Sequence, residues 1–120
     1  MPRKIVTALQ RGTANTRWRD FADLYMLTGR HPITSSELWQ ALTAVANYRR
    51  TDITSLADAL DGYAALAQQR WAVWRRRQRL DDRLPARFTD VLDAVIGFAN
   101  PALTTDLAGR TWRPQTRAWQ

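Results

Sequence analysis

The chain has 120 residues, 45% of them apolar, which fits a single domain with a core of its own. It contains no cysteine and only one histidine, His31, so a disulfide framework and the usual zinc sites are excluded. Eighteen basic residues stand against 11 acidic ones, a formal net charge of +7. This charge has two interpretations. It favours a polyanionic partner such as nucleic acid, or it belongs to a basic surface that has no partner.

No apolar run reaches the roughly 18 residues that a membrane span needs. The basic start of the chain is not followed by the apolar core of a signal peptide. We therefore expect a cytoplasmic protein that does not enter a membrane. The single histidine leaves a Ser-His-Asp triad little support, and no glycine-rich phosphate loop is present.

Between five breaks in the chain, apolar residues recur at spacings of three and four, the period of an α-helix. No alternation with a period of two is sustained. The pattern predicts an all-α fold, a compact bundle of about five helices over residues 1–101, and then a polar, basic tail over 102–120. This tail either docks onto the bundle or stays disordered. The helices are expected at 2–10, 16–28, 34–50, from about 55 past 74, and 85–101.

Four residues mark expected helix ends or breaks. Thr34 and Glu37 fit a capping box, in which a hydroxyl and a carboxylate satisfy free backbone amides at the start of the third helix. Gly62 weakens the fourth helix and is a point at which it can divide. Pro101 is expected to end the fifth helix, because proline lacks the backbone N–H that a helix interior requires.

Two carboxylates and one amine are candidates for chemistry near the N-terminus. Asp20 and Asp23 lie three residues apart on the second helix, so both point to one face, where they can hold Mg²⁺ or accept a proton. From spacing alone a structural explanation is stronger, since the helix dipole favours early aspartates and Arg17 and Arg19 are nearby partners. Lys4, the only lysine, can neutralise a phosphate or simply be solvated.

The densest basic stretch, residues 71–79, carries Trp71 and Trp74 one turn apart and four arginines in five residues. Indole rings stack on bases and guanidinium groups pair with phosphates, which is typical of RNA binding. An equally supported interpretation is that the tryptophans belong to the core and the arginines form a solvated helix end, where cations are favoured. The sequence leaves both interpretations open.

The segment KIVTAL at residues 4–9, followed by RGTANTRWRDFADLYML at 11–27, resembles the AbiEii-type nucleotidyltransferase toxins. These belong to abortive-infection and type IV toxin–antitoxin systems. The later segments LDGY at 60–63, AQQRW at 67–71 and QRLDDRLP at 78–85 resemble one branch of that family. The resemblance covers roughly residues 3 to 100 and implies a nucleotidyltransferase, so it adds a specific activity to the helical fold.

The resemblance implies roles for single residues. Lys4 corresponds to the active-site lysine of the family, Asp20 to its later catalytic aspartate, and Asp23 to a supporting carboxylate. The implied reaction joins a nucleotide from a nucleoside triphosphate to an RNA 3′ end, with tRNA as a known target class and Mg²⁺ neutralising the triphosphate. A cognate antitoxin is the implied protein partner. The arginines expected to contact RNA are Arg17, Arg19, Arg75, Arg76, Arg77 and Arg79.

The chain departs from the family pattern in one respect. Members carry a metal-binding α/β palm with Gly-Ser and then Asp-x-Asp, and no Asp-x-Asp occurs here, since Asp81 and Asp82 are adjacent. The chain thus resembles the helical C-terminal half alone. It is expected to be a gene remnant, a fragment, the product of a mis-assigned start, or one half of a split enzyme whose N-terminal half is encoded separately.

Several expectations follow from that departure. Alone, the chain should have no metal site, bind no cofactor tightly and transfer no nucleotide. Without the missing half, Trp18, Phe21 and Tyr25 would form an uncovered apolar face, which favours self-association. The alternative function is a free-standing basic helical module that binds RNA or a protein partner without catalysis.

Overall fold

The computed structural model describes residues 2–14, 18–104, 107 and 109–120. Within these ranges the chain is mainly helical, which confirms the predicted fold class, and the helices lie close to the predicted segments. The helices are α1 (Pro2–Arg11), α2 (Trp18–Thr28), α3 (Ser35–Arg49), α4 (Leu56–Ala59), α5 (Tyr63–Arg77) and α6 (Phe88–Thr104). A 3-10 turn, Gly12–Ala14, follows α1. No helix in the described ranges is long and apolar enough to cross a membrane.

Two of the predicted helix boundaries have a clear local cause. The Thr34 hydroxyl accepts a hydrogen bond from the Glu37 backbone N–H at 3.2 Å and donates one to the Glu37 carboxylate at 2.9 Å, so the predicted cap starts α3. Gly62 divides the fourth predicted helix into α4 and α5. Its φ of 77° lies in the left-handed region that glycine adopts without a steric penalty.

The fifth predicted helix begins later than expected. α6 starts at Phe88 rather than Pro85, because residues 78–87 form a loop that is held by side chains of α5. The indole of Trp71 donates to the Pro85 carbonyl at 3.2 Å, and the Gln68 side chain accepts from the Phe88 backbone N–H at 2.6 Å. These long-range bonds, which local spacing does not reveal, fix where the helix begins.

The prediction that Pro101 ends this helix is wrong, since α6 continues to Thr104. Ala102 and Leu103 are buried in the core, and the Thr104 hydroxyl donates to the Asn100 carbonyl at 2.8 Å. A proline in the last turn removes only one backbone donor. Burial of the apolar residues that follow it is therefore sufficient to extend the helix by one turn.

The centre of the fold is α6, which packs most extensively against α2 and α5 and also contacts α3 and α4. Aromatic side chains fill the space between these helices, with ring centroids 4.9–6.0 Å apart. They are Trp18, Phe21, Tyr63, Trp71 and Phe88. The three residues do not form one uncovered apolar face, because Phe21 is buried, Trp18 stacks on Tyr63 and Tyr25 lies under a guanidinium group. Self-association stays a prediction without that support.

The C-terminal residues are docked, and they add a small sheet that the sequence analysis did not predict. Its strands are β1 (Ile33–Thr34), β2 (Thr111–Arg113) and β3 (Ala118–Trp119), antiparallel in the order β1-β2-β3. Trp112 lies opposite both Ile33 and Trp119. Strands of two or three residues are too short to show an alternating pattern, so the sheet escapes sequence analysis.

The sheet is attached to the C-terminal end of α2 and to α6. The buried Trp112 indole donates to the Thr28 carbonyl at 2.7 Å, and the Trp119 indole donates to the Phe98 carbonyl at 3.0 Å. Arg117 donates to the Thr28 hydroxyl and lies 4.1 Å above the ring of Tyr25. The docked hairpin thereby satisfies polar groups at the end of the helix that carries both candidate carboxylates.

Candidate active site

Lys4 and the two candidate carboxylates meet between α1 and α2. The Lys4 Nζ lies 3.0 Å from Asp20 Oδ1 and 3.1 Å from Asp23 Oδ2. Their three-residue spacing places both aspartates on one face of α2. That face meets Lys4 of α1. The amine and the two acids that the resemblance singles out thus converge on one place. We refer to Lys4, Asp20 and Asp23 as the Lys4 cluster.

Packing of α1 sets the position of Lys4. Ile5 and Val6 are fully buried, which anchors one side of the helix in the core and leaves the lysine at its edge. Arg49 of α3 donates to the Thr7 hydroxyl at 2.7 Å and to the Arg3 carbonyl at 3.3 Å. Sequence analysis missed this anchor, because no local signal connects residues 42 positions apart.

The Lys4 cluster is partly shielded from water. The side chain of Asp20 is only 9% exposed, whereas those of Lys4 and Asp23 are 28% and 31% exposed. Burial lowers the pKa of Lys4, but the hydrogen bonds and charges of Asp20 and Asp23 outweigh it and hold the pKa above its ordinary value. The amine is therefore protonated at neutral pH, and the three side chains together carry one positive and two negative charges.

Lys4 supplies the one group of this cluster that can bind a phosphate, and it also occupies the place of a metal ion. Among the contacts of the described residues, two of the three ammonium hydrogens of Lys4 bind carboxylates, which leaves the third for a phosphate oxygen. Mg²⁺ does not fit, because the ammonium lies between the two carboxylates, where a cation bound by both would sit. The described residues also contain no group of three or more side chains that could hold a metal.

Arg75, one of the predicted RNA contacts, is occupied by the protein itself. Its guanidinium donates to the Leu84 carbonyl at 2.9 Å, to the Asp81 carbonyl at 2.6 Å and to the Asp81 carboxylate at 3.1 Å. These bonds close the loop after α5. We call Arg75, Asp81 and Leu84 the Arg75 clamp. An aspartate six residues after an arginine is the only sequence signal for it, and that signal is weak.

The other predicted RNA contacts lie on the surface, except that Arg17 lies outside the described residues. Arg19 donates to the Gln78 side chain at 3.3 Å, and Arg79 has a φ of 55° in the turn after α5. The predicted contacts that are exposed are Arg19, Arg76, Arg77 and Arg79. Their contact with RNA stays a prediction.

The two tryptophans of the basic stretch have different environments. Trp71 is fully buried, as the core interpretation predicts, whereas Trp74 is half-buried and reaches the surface. Their rings stack with centroids 5.5 Å apart. One aromatic residue therefore anchors the helix, and the other is presented to solvent on a rigid support.

Comparison with known proteins identifies the family of the chain. Residues 3–106 match the family model described as the nucleotidyl transferase AbiEii toxin of a type IV toxin–antitoxin system. The match spans most of the chain and includes all three residues of the Lys4 cluster. No curated protein and no solved structure matches the chain.

Proposed function

The chain belongs to the AbiEii family of nucleotidyl transferase toxins from type IV toxin–antitoxin systems, and on that premise we propose that its Lys4 cluster serves nucleotide transfer to RNA. The proposed reaction takes a nucleotide from a nucleoside triphosphate and adds it to the 3′ end of a tRNA. We propose that it takes place in the cytoplasm. Membership in a toxin–antitoxin family implies a cognate antitoxin. The observation that carries the proposal is the meeting of Lys4, Asp20 and Asp23 within 3.1 Å.

Lys4 has the properties that such a reaction requires. Attack by an RNA hydroxyl on the α-phosphate displaces pyrophosphate, and negative charge accumulates on the oxygens of the transferred group. A protonated amine in a partly shielded site stabilises that charge more strongly than it would in water. We propose that the remaining ammonium hydrogen of Lys4 donates to an oxygen of that phosphate.

Asp20 and Asp23 differ in burial, and we propose that they differ in role. Asp20, the more buried, fixes the ammonium from the protein side. Asp23, the more exposed, orients it from the solvent side. Since the cluster does not fit Mg²⁺ and no Asp-x-Asp occurs in the sequence, we propose that the metal-binding carboxylates of the active enzyme lie outside these 120 residues.

The experiment follows labelled nucleotide incorporation into tRNA in the presence of Mg²⁺. The chain is assayed alone and together with a polypeptide that contains Gly-Ser and Asp-x-Asp and is encoded by a neighbouring gene or by the same reading frame. We expect no incorporation by the chain alone and incorporation by the pair. The Lys4→Ala variant should abolish it, while Arg83→Gln, on an exposed residue of the loop after α5, should not.

Two results would contradict the proposal. Incorporation above background by the chain alone would show that the 120 residues hold a complete site. Full activity of the Lys4→Ala variant in the complete enzyme would show that the amine does not serve the reaction.

A further inference from the structure

A shallow groove with a volume of about 440 Å³ runs along the outer side of α5. Two indole rings, two guanidinium groups, one amide and one valine line it. The lining residues are Trp18, Gln69, Arg70, Val73, Trp74 and Arg77. None of these described residues is acidic, so the groove is the kind of surface that attracts an anion with an aromatic part. We call it the Trp74 groove.

Its lining follows from the helical period of α5. Arg70, Trp74 and Arg77 are spaced by four and three residues, which places them on one face of the helix. Val73 is 39% exposed between them, so the floor of the groove is apolar and accessible. Sequence analysis selected the arginines after Trp74 because they are consecutive. The face that forms this groove includes only Arg77 from that run and adds Arg70 one turn earlier.

The two indole rings are held rigidly from below. Trp74 stacks on the buried Trp71 with centroids 5.5 Å apart, and Trp18 stacks on Tyr63 at 6.0 Å and meets the Phe88 ring edge-on at 5.8 Å. Both are half-buried, so each ring keeps a part that faces the groove. A pre-oriented aromatic surface loses little conformational entropy when a flat ligand stacks on it.

The groove and the Lys4 cluster each take a residue from the first turn of α2. Trp18 opens that helix and Asp20 follows two residues later, with Arg19 between them. The Arg19 guanidinium bonds the Gln78 side chain at 3.3 Å, and Gln78 directly follows Arg77.

From these observations we infer that the Trp74 groove binds an unpaired nucleotide of the RNA that is modified at the Lys4 cluster. One base stacks on an indole, the Gln69 amide pairs with its edge, and Arg70 and Arg77 bind the flanking phosphates. This inference rests on the proposed function, because it names the strand that this function requires. RNA is favoured over a protein partner because cations and aromatic faces together match a nucleotide and the apolar floor is small.

The test measures binding of a fluorescein-labelled, unstructured single-stranded oligoribonucleotide to the 120-residue chain by anisotropy, over a range of salt concentrations. Arg70→Gln/Arg77→Gln removes the two proposed phosphate contacts. Arg83→Gln/Arg87→Gln, two exposed arginines outside the groove, gives the same change in net charge and is the matched control. Trp74→Leu removes the stacking surface, and circular dichroism checks that it folds.

The groove variant should bind about tenfold or more weakly than the parent, and its salt dependence should flatten by about 1.4, since each single-strand phosphate contact contributes about 0.7. The control should lose less than about threefold. Trp74→Leu should weaken binding about tenfold while keeping the parent's salt dependence. The oligonucleotide should quench tryptophan fluorescence less in Trp74→Leu than in the parent.

Equal affinity and equal salt dependence of the groove and control variants would overturn the inference and leave a protein partner as the class of occupant. Binding of a blunt RNA duplex as tight as that of the single strand would also overturn it. Neither result touches the proposed function, which is decided by the effect of Lys4→Ala on incorporation. Conversely, an active Lys4→Ala enzyme with intact groove binding would overturn the proposed function alone.

Discussion

The Lys4 cluster and the Arg75 clamp both pair a basic side chain with aspartate at about 3 Å, yet they serve different purposes. Lys4 and Asp20 are 16 residues apart and join two helices, and Asp20 is nearly buried. Arg75 and Asp81 are six residues apart, and the carboxylate is 52% exposed. Similar distances therefore do not imply similar roles.

The difference lies in what else each base binds. Arg75 also satisfies two backbone carbonyls of the loop after α5, so its guanidinium acts as part of the fold. Among the described residues Lys4 contacts side-chain carboxylates only, and one ammonium hydrogen remains for a ligand. An ion pair that closes a loop is structural, whereas one held between helices without serving the backbone is a better candidate for chemistry.

The largest contrast is expected in activity. Lys4→Met in the complete enzyme should lower the rate of nucleotide incorporation by about a hundredfold or more, as removal of one preorganised charge at a transition state does. Arg75→Met should leave the rate within about threefold of the parent, since its guanidinium is engaged by the loop. Single-turnover incorporation measures both. Equal losses in the two variants would remove the distinction between the cluster and the clamp.

Loss of the Arg75 clamp should lower the stability of the fold rather than the activity. Arg75→Met loses bonds to two backbone carbonyls near the surface, and we expect the free energy of unfolding to fall by about 1–2 kcal/mol. The exposed Arg75–Asp81 ion pair adds little to this, because water screens it. Urea denaturation measures the change, with Arg76→Met, on an exposed neighbour, as the control. A stability equal to that of the control would contradict a structural role for the clamp.

Within the Lys4 cluster, burial predicts unequal effects of two identical substitutions. Asp20→Asn should lower the free energy of unfolding by about 1–2 kcal/mol, since the carboxylate that pairs with Lys4 there is 9% exposed. Asp23→Asn, at 31% exposure, should lower it by less than about 1 kcal/mol. The urea midpoints of the two variants test the order, and a reversed order would place the deeper anchor at Asp23.

The smallest effect concerns pH. The pKa of Lys4 is raised in the folded protein, so the stabilisation from its ion pairs is fully present below the unfolded value of about 10.5 and is lost as pH rises through the folded pKa. The difference in urea midpoint between the parent and Lys4→Met should be constant from pH 7 to about 10 and shrink above. A difference that already shrinks between pH 7 and 9 would show that the amine is not held by the carboxylates.

The helices could be predicted from the sequence because they depend on local periodicity, and Lys4 and Asp20 are singled out together only by the resemblance of their segments to a known family. Their contact at 3.0 Å is seen in the structure. The sheet could not be predicted from the sequence, because it depends on a hydrogen bond from Trp112 to the Thr28 carbonyl, 84 residues away. The predicted end of α6 is wrong, because burial of Leu103 outweighs the tendency of Pro101 to end the helix. The Arg75 clamp and the Trp74 groove depend on where a side chain points, which charge density along the chain does not show.

The central claim is that the Lys4 ammonium contacts phosphate, and the chain offers a direct test because Lys4 is its only lysine. Labelling with ¹⁵N-lysine gives a single side-chain amine signal in the magnetic resonance spectrum. In the labelled chain paired with the polypeptide that contains Asp-x-Asp, titration with a nucleoside triphosphate and Mg²⁺ should shift this signal saturably, while sodium chloride at equal ionic strength should not. A signal that responds identically to the triphosphate and to the salt would contradict the claim.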